Sequence, residues 1–366
     1  MKISSVEEWP FKANKPLIIS GPCSAETEEQ VHATASALSQ TGKVQLFRAG
    51  IWKPRTRPNS FEGVGAVGLK WLVDAGKAHH LPTTTEVANA QHVELALKAG
   101  VDVLWIGART TVNPFSVQEI ADALKGTDIP VIVKNPINPD LQLWIGAIER
   151  LVLNGITKVM AMHRGFSSNL PSPYRNIPMW EIPIALKAEI PGLPILCDPS
   201  HICGNRHMLA SVAQKAMDLG LHGLMLESHP TPDEAWSDAK QQVTPANFDK
   251  LIKSLHLRST ETASQEVADR LHSLRSKIDA IDDGLLRLLA QRFDLIDQIG
   301  EYKKENDLTI LQLERWKEIL TSRTESAKSL NIPEEFMAKY LEFMHKESIK
   351  VQGKIMNKGK EDQLIW

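Results

Sequence analysis

The sequence predicts an α/β chain in which a (β/α)8 barrel, the TIM-barrel architecture, is followed by an all-α domain of three helices. Three observations carry this expectation. Eight short apolar runs recur between Leu17 and Ser228, each followed by a polar or glycine-bearing turn and a longer amphipathic stretch. Their hydrophobicity is continuous rather than alternating, as strands buried on both faces of a parallel sheet require. Beyond residue 264 the pattern changes to long helical periodicity.

The runs are LIISGPC from Leu17, QLFRAG from Gln45, LPTTTEV from Leu81, VLWIGA from Val103, PVIVKN from Pro130, KVMAMHRG from Lys158, PILCDPSH from Pro194 and GLMLES from Gly223. Eight βα units in about 240 residues favour a closed barrel over an open doubly wound sheet. The last barrel helix is expected in PANFDKLIKSLHL, fading near Arg258. The polar stretch RSTETASQE reads as a linker. The expected organisation is a barrel over 1–257, a linker over 258–266, a helical domain over 267–356 and a tail over 357–366. Within the helical domain the first helix spans about 264–304 and is roughly 60 Å long. Two more follow over about 313–330 and 333–356, with Asn331 as a cap and Pro333 near a helix start.

Composition bounds the function. The chain has 366 residues, 42% apolar and 23% charged, with net charge −2, which points away from disorder and from general nucleic-acid binding. No run approaches the ~20 apolar residues of a membrane span. Cys23, Cys197 and Cys203 form neither a disulfide framework nor paired CxxC motifs, which fits a reducing, cytoplasmic setting. The short segment before the first strand has no signal-peptide core and predicts no N-terminal regulatory domain.

Catalytic groups of such barrels sit at the carboxyl ends of the strands. Those ends carry Cys23, Arg48 with Lys53 and Arg55, Glu86, Arg109, Lys134, His163 with Arg164, Asp198 with His201, and Glu227 with Asp238 just beyond. Cys23, His201, Glu227 and Asp238 offer sulfur, nitrogen and carboxylate oxygen, a set suited to Mn²⁺, Fe²⁺, Co²⁺ or Zn²⁺ rather than to Mg²⁺ or Ca²⁺. Arg48, Lys53, Arg55, Arg109, Lys134 and Arg164 are more cations than one phosphate needs, and suggest a polyanionic substrate or two anionic ones.

The motifs GPCSAET (Gly21 to Thr27), RAGIWKPRTRPNSFEG (from Arg48), TEV (from Thr85), GART (from Gly107), DPSH (from Asp198) and LESHPTPDEAWSD (from Leu226) resemble 3-deoxy-D-arabino-heptulosonate 7-phosphate (DAHP) synthase, in the compact microbial subgroup of its type I enzymes. The resemblance implies condensation of phosphoenolpyruvate with erythrose 4-phosphate, the first step of the shikimate pathway. It places metal ligands on Cys23, His201, Glu227 and Asp238. It places phosphoenolpyruvate on Arg48, Lys53, Arg109, Lys134 and Arg164 with Glu86 near its phosphate, and erythrose 4-phosphate on Arg55 and Thr56, with Asp198 beside them. Lys53, His201 and Asp198 are candidates for the proton step. 3-Deoxy-D-manno-octulosonate 8-phosphate synthase shares barrel and donor, but carries a KAN-type sequence where this chain has KPRT.

In the first helix of the second domain Leu271, Leu274, Ile278, Ile281, Leu285, Leu288, Leu295, Ile299 and Tyr302 recur in steps of three and four, the seam of a helix packed against others. Arg292 interrupts that seam, and a buried guanidinium needs a carboxylate or a bound anion. Lys303, eleven positions on, returns to within about 20° of the same face. Arg275 lies about 25 Å away along the axis, so it is either a solvated residue or joins the site from a second copy. The second case predicts a homodimer intertwined through the helical domain.

LRSKIDAIDDGLLRLLAQRFDLIDQIGEYKK from Leu274, LERW from Leu313 and ESIKVQ from Glu347 resemble the all-helical class of chorismate mutase. That resemblance implies chorismate as substrate and prephenate as product, on Arg275 of a second copy, Arg292, Lys303, Arg315, Ser348 and Gln352, with Lys303 and Gln352 facing the ether oxygen and no cofactor. Trp316 and Gln312 depart from the pattern, since many members carry acidic residues there that contact the substrate hydroxyl. A non-catalytic helical sensor is therefore the alternative to a second active site. Joining an early and a later pathway step also suggests feedback of chorismate or prephenate on the barrel.

Overall fold

The structure is a computed structural model that describes residues 1–11, 13, 15–54, 60–169, 171–258 and 264–357. It divides into two compact units, 1–260 and 261–366. In the first, eight parallel strands close into a barrel in sequence order. They are β1 (Leu17–Gly21), β2 (Leu46–Arg48), β3 (Thr83–Val87), β4 (Val103–Ile106), β5 (Val131–Lys134), β6 (Val159–His163), β7 (Ile195–Cys197) and β8 (Gly223–Glu227). Closure is made by β8 against β1, in register from Leu17 opposite Gly223 to Gly21 opposite Glu227. Every predicted strand run contains its strand, and nearly every strand residue is buried, as continuous hydrophobicity requires.

The helices are α1 (Glu28–Ser39), α2 (Val67–Ala78), α3 (Ala90–Ala99), α4 (Ala108–Thr111), α5 (Pro114–Leu124), α6 (Leu141–Leu153), α7 (Glu181–Glu189), α8 (Pro199–Cys203), α9 (Leu209–Asp218) and α10 (Pro245–Ser254). Their starts follow capping chemistry. The side chains of Thr27, Asn89, Asn113, Asp140, Asp198 and Thr244 accept hydrogen bonds from the first-turn N–H groups, and proline follows at Pro114, Pro199 and Pro245. One apolar core lies between sheet and helices. A second fills the barrel with Leu17, Ile19, Leu46, Trp105, Ile132, Met160, Met162, Leu196 and Met225, and Trp9 packs into it from the segment before β1.

The second unit consists of α11 (Gln265–Glu305), α12 (Leu313–Ser329) and α13 (Glu334–Asn357). Ser264 caps α11, and Asn331 takes a left-handed φ of 58° between α12 and α13. The expected seam departs from the structure in one respect. It is not buried within one chain: Ile278, Ile281, Leu285, Leu288 and Leu295 are each more than half exposed. The face that α11 buries is instead Ile296, Gly300 and Lys303. At Gly300 the two long helices approach so closely that a Cβ would lie 2.9 Å from Ile355 Cδ1. Heptad spacing reports an apolar stripe, and this stripe is not covered by α12 or α13. Among the described residues no helix is long and apolar enough to cross a membrane.

Gly223 shows how tightly the barrel closes: a Cβ there would overlap the carbonyl oxygen of Leu17, backbone that cannot turn aside. Gly223→Ala is expected to cost about 2 kcal/mol or more and to lower the unfolding midpoint by several degrees in calorimetry. Gly146→Ala, in α6 with nothing within 4 Å of the added carbon, should leave the midpoint unchanged or raise it.

Candidate active site

Parallel closure aims the carboxyl ends of all eight strands at one rim, and the structure gathers the predicted charges there. Arg48, at the end of β2, is 1% exposed. Its guanidinium is 3.2 Å from Glu227 Oε1, donates to Cys23 O at 3.0 Å and lies 4.8 Å above the Trp105 ring. Lys53 Nζ reaches Cys23 Sγ at 2.8 Å and Cys23 O at 3.0 Å. Lys134, ending β5, pairs with Asp198 at 2.8 Å and sits 5.5 Å from the centre of the same Trp105 ring.

Trp105 thus organises three predicted residues, because its Nε1 also donates to Glu86 Oε2 at 3.0 Å. Gly107 makes room for that carboxylate, whose other oxygen would overlap a Cβ at this position. Arg164 donates to Asn176 Oδ1 at 2.7 Å, while its N–H meets Asn135 Oδ1 at 2.7 Å. Burial pulls its guanidinium down to about 10. Arg109 is exposed at the mouth, in the same cleft as Lys53, Glu86, Lys134 and Arg164. Arg55 and Thr56 lie outside the described residues. His163 is fully buried beside Trp180, and burial with the neighbouring Arg164 charge lowers it to about 3, so it is a neutral packing residue.

Cys23 Sγ, a Glu227 oxygen and an Asp238 oxygen lie within 4.8 Å of one another. His201 falls outside that mutual span, but its Nε2 is 3.8 Å from Glu227 Oε1. Its Nδ1 is 2.8 Å from Asp198 Oδ2 without hydrogen-bond alignment. Glu227 Oε1 is buried with no hydrogen-bond partner among the described residues. A carboxylate oxygen that has its ion pair with Arg48 but no hydrogen bond, beside a thiol, a second carboxylate and an imidazole, fits a divalent metal. Burial, then the Glu227 charge, pushes the Cys23 thiol up to about 12, so a cation must displace a firmly held proton. Burial pulls Lys53 down, but Cys23 and Glu227 outweigh it and hold the ammonium above the usual lysine value. Burial raises Asp198, yet His201 and Lys134 overcome that and keep it well below the usual carboxylate range.

Three supporting residues were not legible in the sequence. Gln241 donates from Nε2 to Glu227 Oε2 at 2.6 Å and accepts from Arg175 at 2.7 Å. Arg175 also pairs with Asp238 at 3.0 Å, and Gln242 Oε1 accepts from the Cys23 N–H at 3.0 Å. Asp238 itself takes a left-handed φ of 49°. Arg175 and the glutamines sit in irregular loops, where no periodicity marks a residue. Their position beyond β6 and β8, on the catalytic side, was the available signal.

In the helical unit Arg292 is exposed rather than seated in a dry seam, and donates to Ser348 Oγ at 3.2 Å. Lys303 is buried and donates to Ile310 O at 2.5 Å. Gln352 is 8% exposed, and its Oε1 has no partner among the described residues. Arg292, Lys303, Ser348 and Gln352 therefore occupy the facing sides of α11 and α13. Arg315 is exposed and pairs with Glu318 at 2.6 Å, and Arg275 lies on the exposed part of α11.

A closed parallel barrel that crowds cations round a thiol and carboxylate cluster offers donors for a metal ion and charge for anions at one rim. Residues 11–277 match the profile of the DAHP synthetase I family, to which the chain belongs. Residues 274–353 match chorismate mutase type II, so a mutase domain follows the synthase domain. A phospho-2-dehydro-3-deoxyheptonate aldolase of Thermotoga maritima is 32% identical over 238 residues, 65% of this chain and 68% of that protein. A 2-dehydro-3-deoxyphosphooctonate aldolase of Francisella tularensis is 29% identical over 263 residues, 65% of this chain and 88% of that protein. The crystal structure of the Thermotoga maritima DAHP synthase superposes with a TM-score of 0.62 at 28% identity, covering 69% of this chain and 71% of that one.

Gln241→Leu keeps the side-chain bulk but removes the amide between Glu227 and Arg175. It is expected to weaken Mn²⁺ binding to the full chain by about 10- to 100-fold in calorimetric titration. Unchanged affinity would show that the amide does not orient the ligand.

Proposed function

We propose that the barrel condenses phosphoenolpyruvate with erythrose 4-phosphate to 3-deoxy-D-arabino-heptulosonate 7-phosphate, and that the helical domain rearranges chorismate to prephenate. The observation that carries the first reading is the convergence of Arg48, Lys53, Arg109, Lys134 and Arg164 beside the Cys23, Glu227 and Asp238 cluster. Arg109, Lys134 and Arg164 bind the enol phosphate and carboxylate, with Glu86 and Trp105 fixing the floor beneath them. Arg55 and Thr56 hold the phosphate of the aldose, with Asp198 beside its carbon chain. A Mn, Fe, Co or Zn ion held by Cys23, His201, Glu227 and Asp238 supplies Lewis acidity at the aldehyde oxygen.

C3 of phosphoenolpyruvate attacks the aldehyde carbon, and the aldehyde oxygen gains a proton. Water then adds at C2 and inorganic phosphate leaves. Of the proton candidates, Lys53 carries an ammonium 2.8 Å from Cys23 Sγ and has a proton to give, whereas Asp198 stays ionised against Lys134. KPRT at Lys53 favours the four-carbon aldose over the five-carbon one used by the octulosonate relatives. Loss of the ultraviolet absorbance of phosphoenolpyruvate, only when erythrose 4-phosphate is added, tests the reading; arabinose 5-phosphate as the better acceptor would overturn it.

In the helical domain Arg292, Arg315 and Lys303 grip the two carboxylates and the ether oxygen of chorismate, with Ser348 and Gln352 completing the polar wall and Arg275 coming from a second copy. The exposed stripe of Ile278, Ile281, Leu285 and Leu288 supports a homodimer through α11, since so long an apolar face is covered in stable proteins. The chemistry there needs no metal. Feedback of prephenate or chorismate on the barrel follows from joining the two activities, and the buried free cysteines suit a cytoplasmic enzyme.

Chelation with EDTA is expected to abolish synthase activity, restored by added Mn²⁺, while mutase activity continues unchanged. Arg292→Leu should lower mutase kcat/KM by about 10²- to 10³-fold with little change in the unfolding midpoint, because the side chain is exposed. Retention of full mutase activity in this variant would make Arg292 a surface residue.

A further inference from the structure

Two residues outside the predicted set stand beside the cations of the mutase domain. Trp316, in the first turn of α12, stacks on His345 of α13 with ring centroids 4.0 Å apart and planes 11° from parallel. His345, Ser348 and Gln352 occupy positions i, i+3 and i+7 of α13 and share one face. Arg292 reaches that face from α11 through its bond to Ser348. The Gln352 oxygen, buried and unpartnered among the described residues, points to a ligand on the same wall.

The imidazole is half-buried, and burial together with the charges of Arg292 and Lys303 lowers its pKa, so it remains neutral. Neither ring nitrogen makes a hydrogen bond among the described residues. A neutral imidazole offers one N–H and one lone pair. That pair of functions matches a hydroxyl, which donates and accepts, and does not match a carboxylate, which only accepts. The neighbouring cations already answer the carboxylates.

We propose that His345 is the hydrogen-bond partner of the ring hydroxyl of chorismate and prephenate, and that Trp316 holds its imidazole in place. This rests on the mutase reading. Trp316 then forms one half of a stacked pair that recognises the hydroxyl from a different helix. The hydroxyl takes no part in the rearrangement, so the contact holds ground state and transition state alike. Its loss raises KM more than it lowers kcat.

The test uses the full chain and two variants. His345→Phe preserves the stack and removes both hydrogen-bonding atoms, and is expected to raise the mutase KM about 5- to 20-fold with kcat nearly unchanged. His345→Gln should recover much of the loss. Calorimetric Kd values for prephenate and for its analogue with hydrogen in place of the hydroxyl make the result independent of turnover. The proposal requires His345→Phe to weaken prephenate binding by a similar factor while leaving the deoxy analogue unaffected. Equal weakening of both ligands, or no weakening of either, would overturn it. Absence of mutase turnover in the parent with this binding pattern intact would instead count against the catalytic reading of the domain.

Discussion

The buried ion pairs at the carboxyl rim of the barrel, Arg48 with Glu227 and Lys134 with Asp198, are the constraint on which the site depends. Each of these four side chains is almost wholly out of water. A buried charge stripped of its partner is strongly destabilising, so neither cation nor anion can move without the other. Trp105 lies beneath both cations and binds Glu86, which ties strands β2, β3, β4 and β5 into one rigid floor. Glu227, one of the three clustered donor residues, is therefore held in place by a cation of the same rim.

The two domains present charge by different means. The barrel has donors for a metal as well as cations, and the loop carrying Asp238 is fastened through Arg175, Gln241 and Gln242 to Glu227 and Cys23. The helical domain has cations and neutral hydrogen-bonding groups on facing helices, with close approach made possible at Gly300. These differences suit the two proposed reactions: carbon–carbon bond formation between two separate molecules calls for activation of an aldehyde. A unimolecular rearrangement calls for holding one folded conformer.

Much of this was legible in the sequence, and the reasons differ by element. All eight strands were recoverable because a strand buried on both faces has an uninterrupted apolar run, and the rim residues followed because parallel topology fixes which strand end they occupy. The helix boundaries were close because Ser264, Asn331 and Pro333 act locally. What failed was assigning a partner to the apolar stripe of α11: spacing identifies a face and says nothing of which chain covers it. Trp105, Arg175 and Gln241 escaped because their roles arise from pairings across distant segments. Trp316 looked like the loss of an acidic group, and its stack on His345 of α13, a pairing between separate helices, had no signal in the sequence. The mutual span of Cys23, Glu227 and Asp238 was foreseen as chemistry, while the more distant placement of His201 was not.

Anomalous diffraction from crystals grown with Mn²⁺ and phosphoenolpyruvate tests the central claim that the rim is prearranged for a metal and an anion together. The account predicts one strong peak within bonding distance of Cys23, His201, Glu227 and Asp238, with the phosphate on Arg109, Lys134 and Arg164. A peak held by other residues, or phosphoenolpyruvate bound away from these cations, would contradict it.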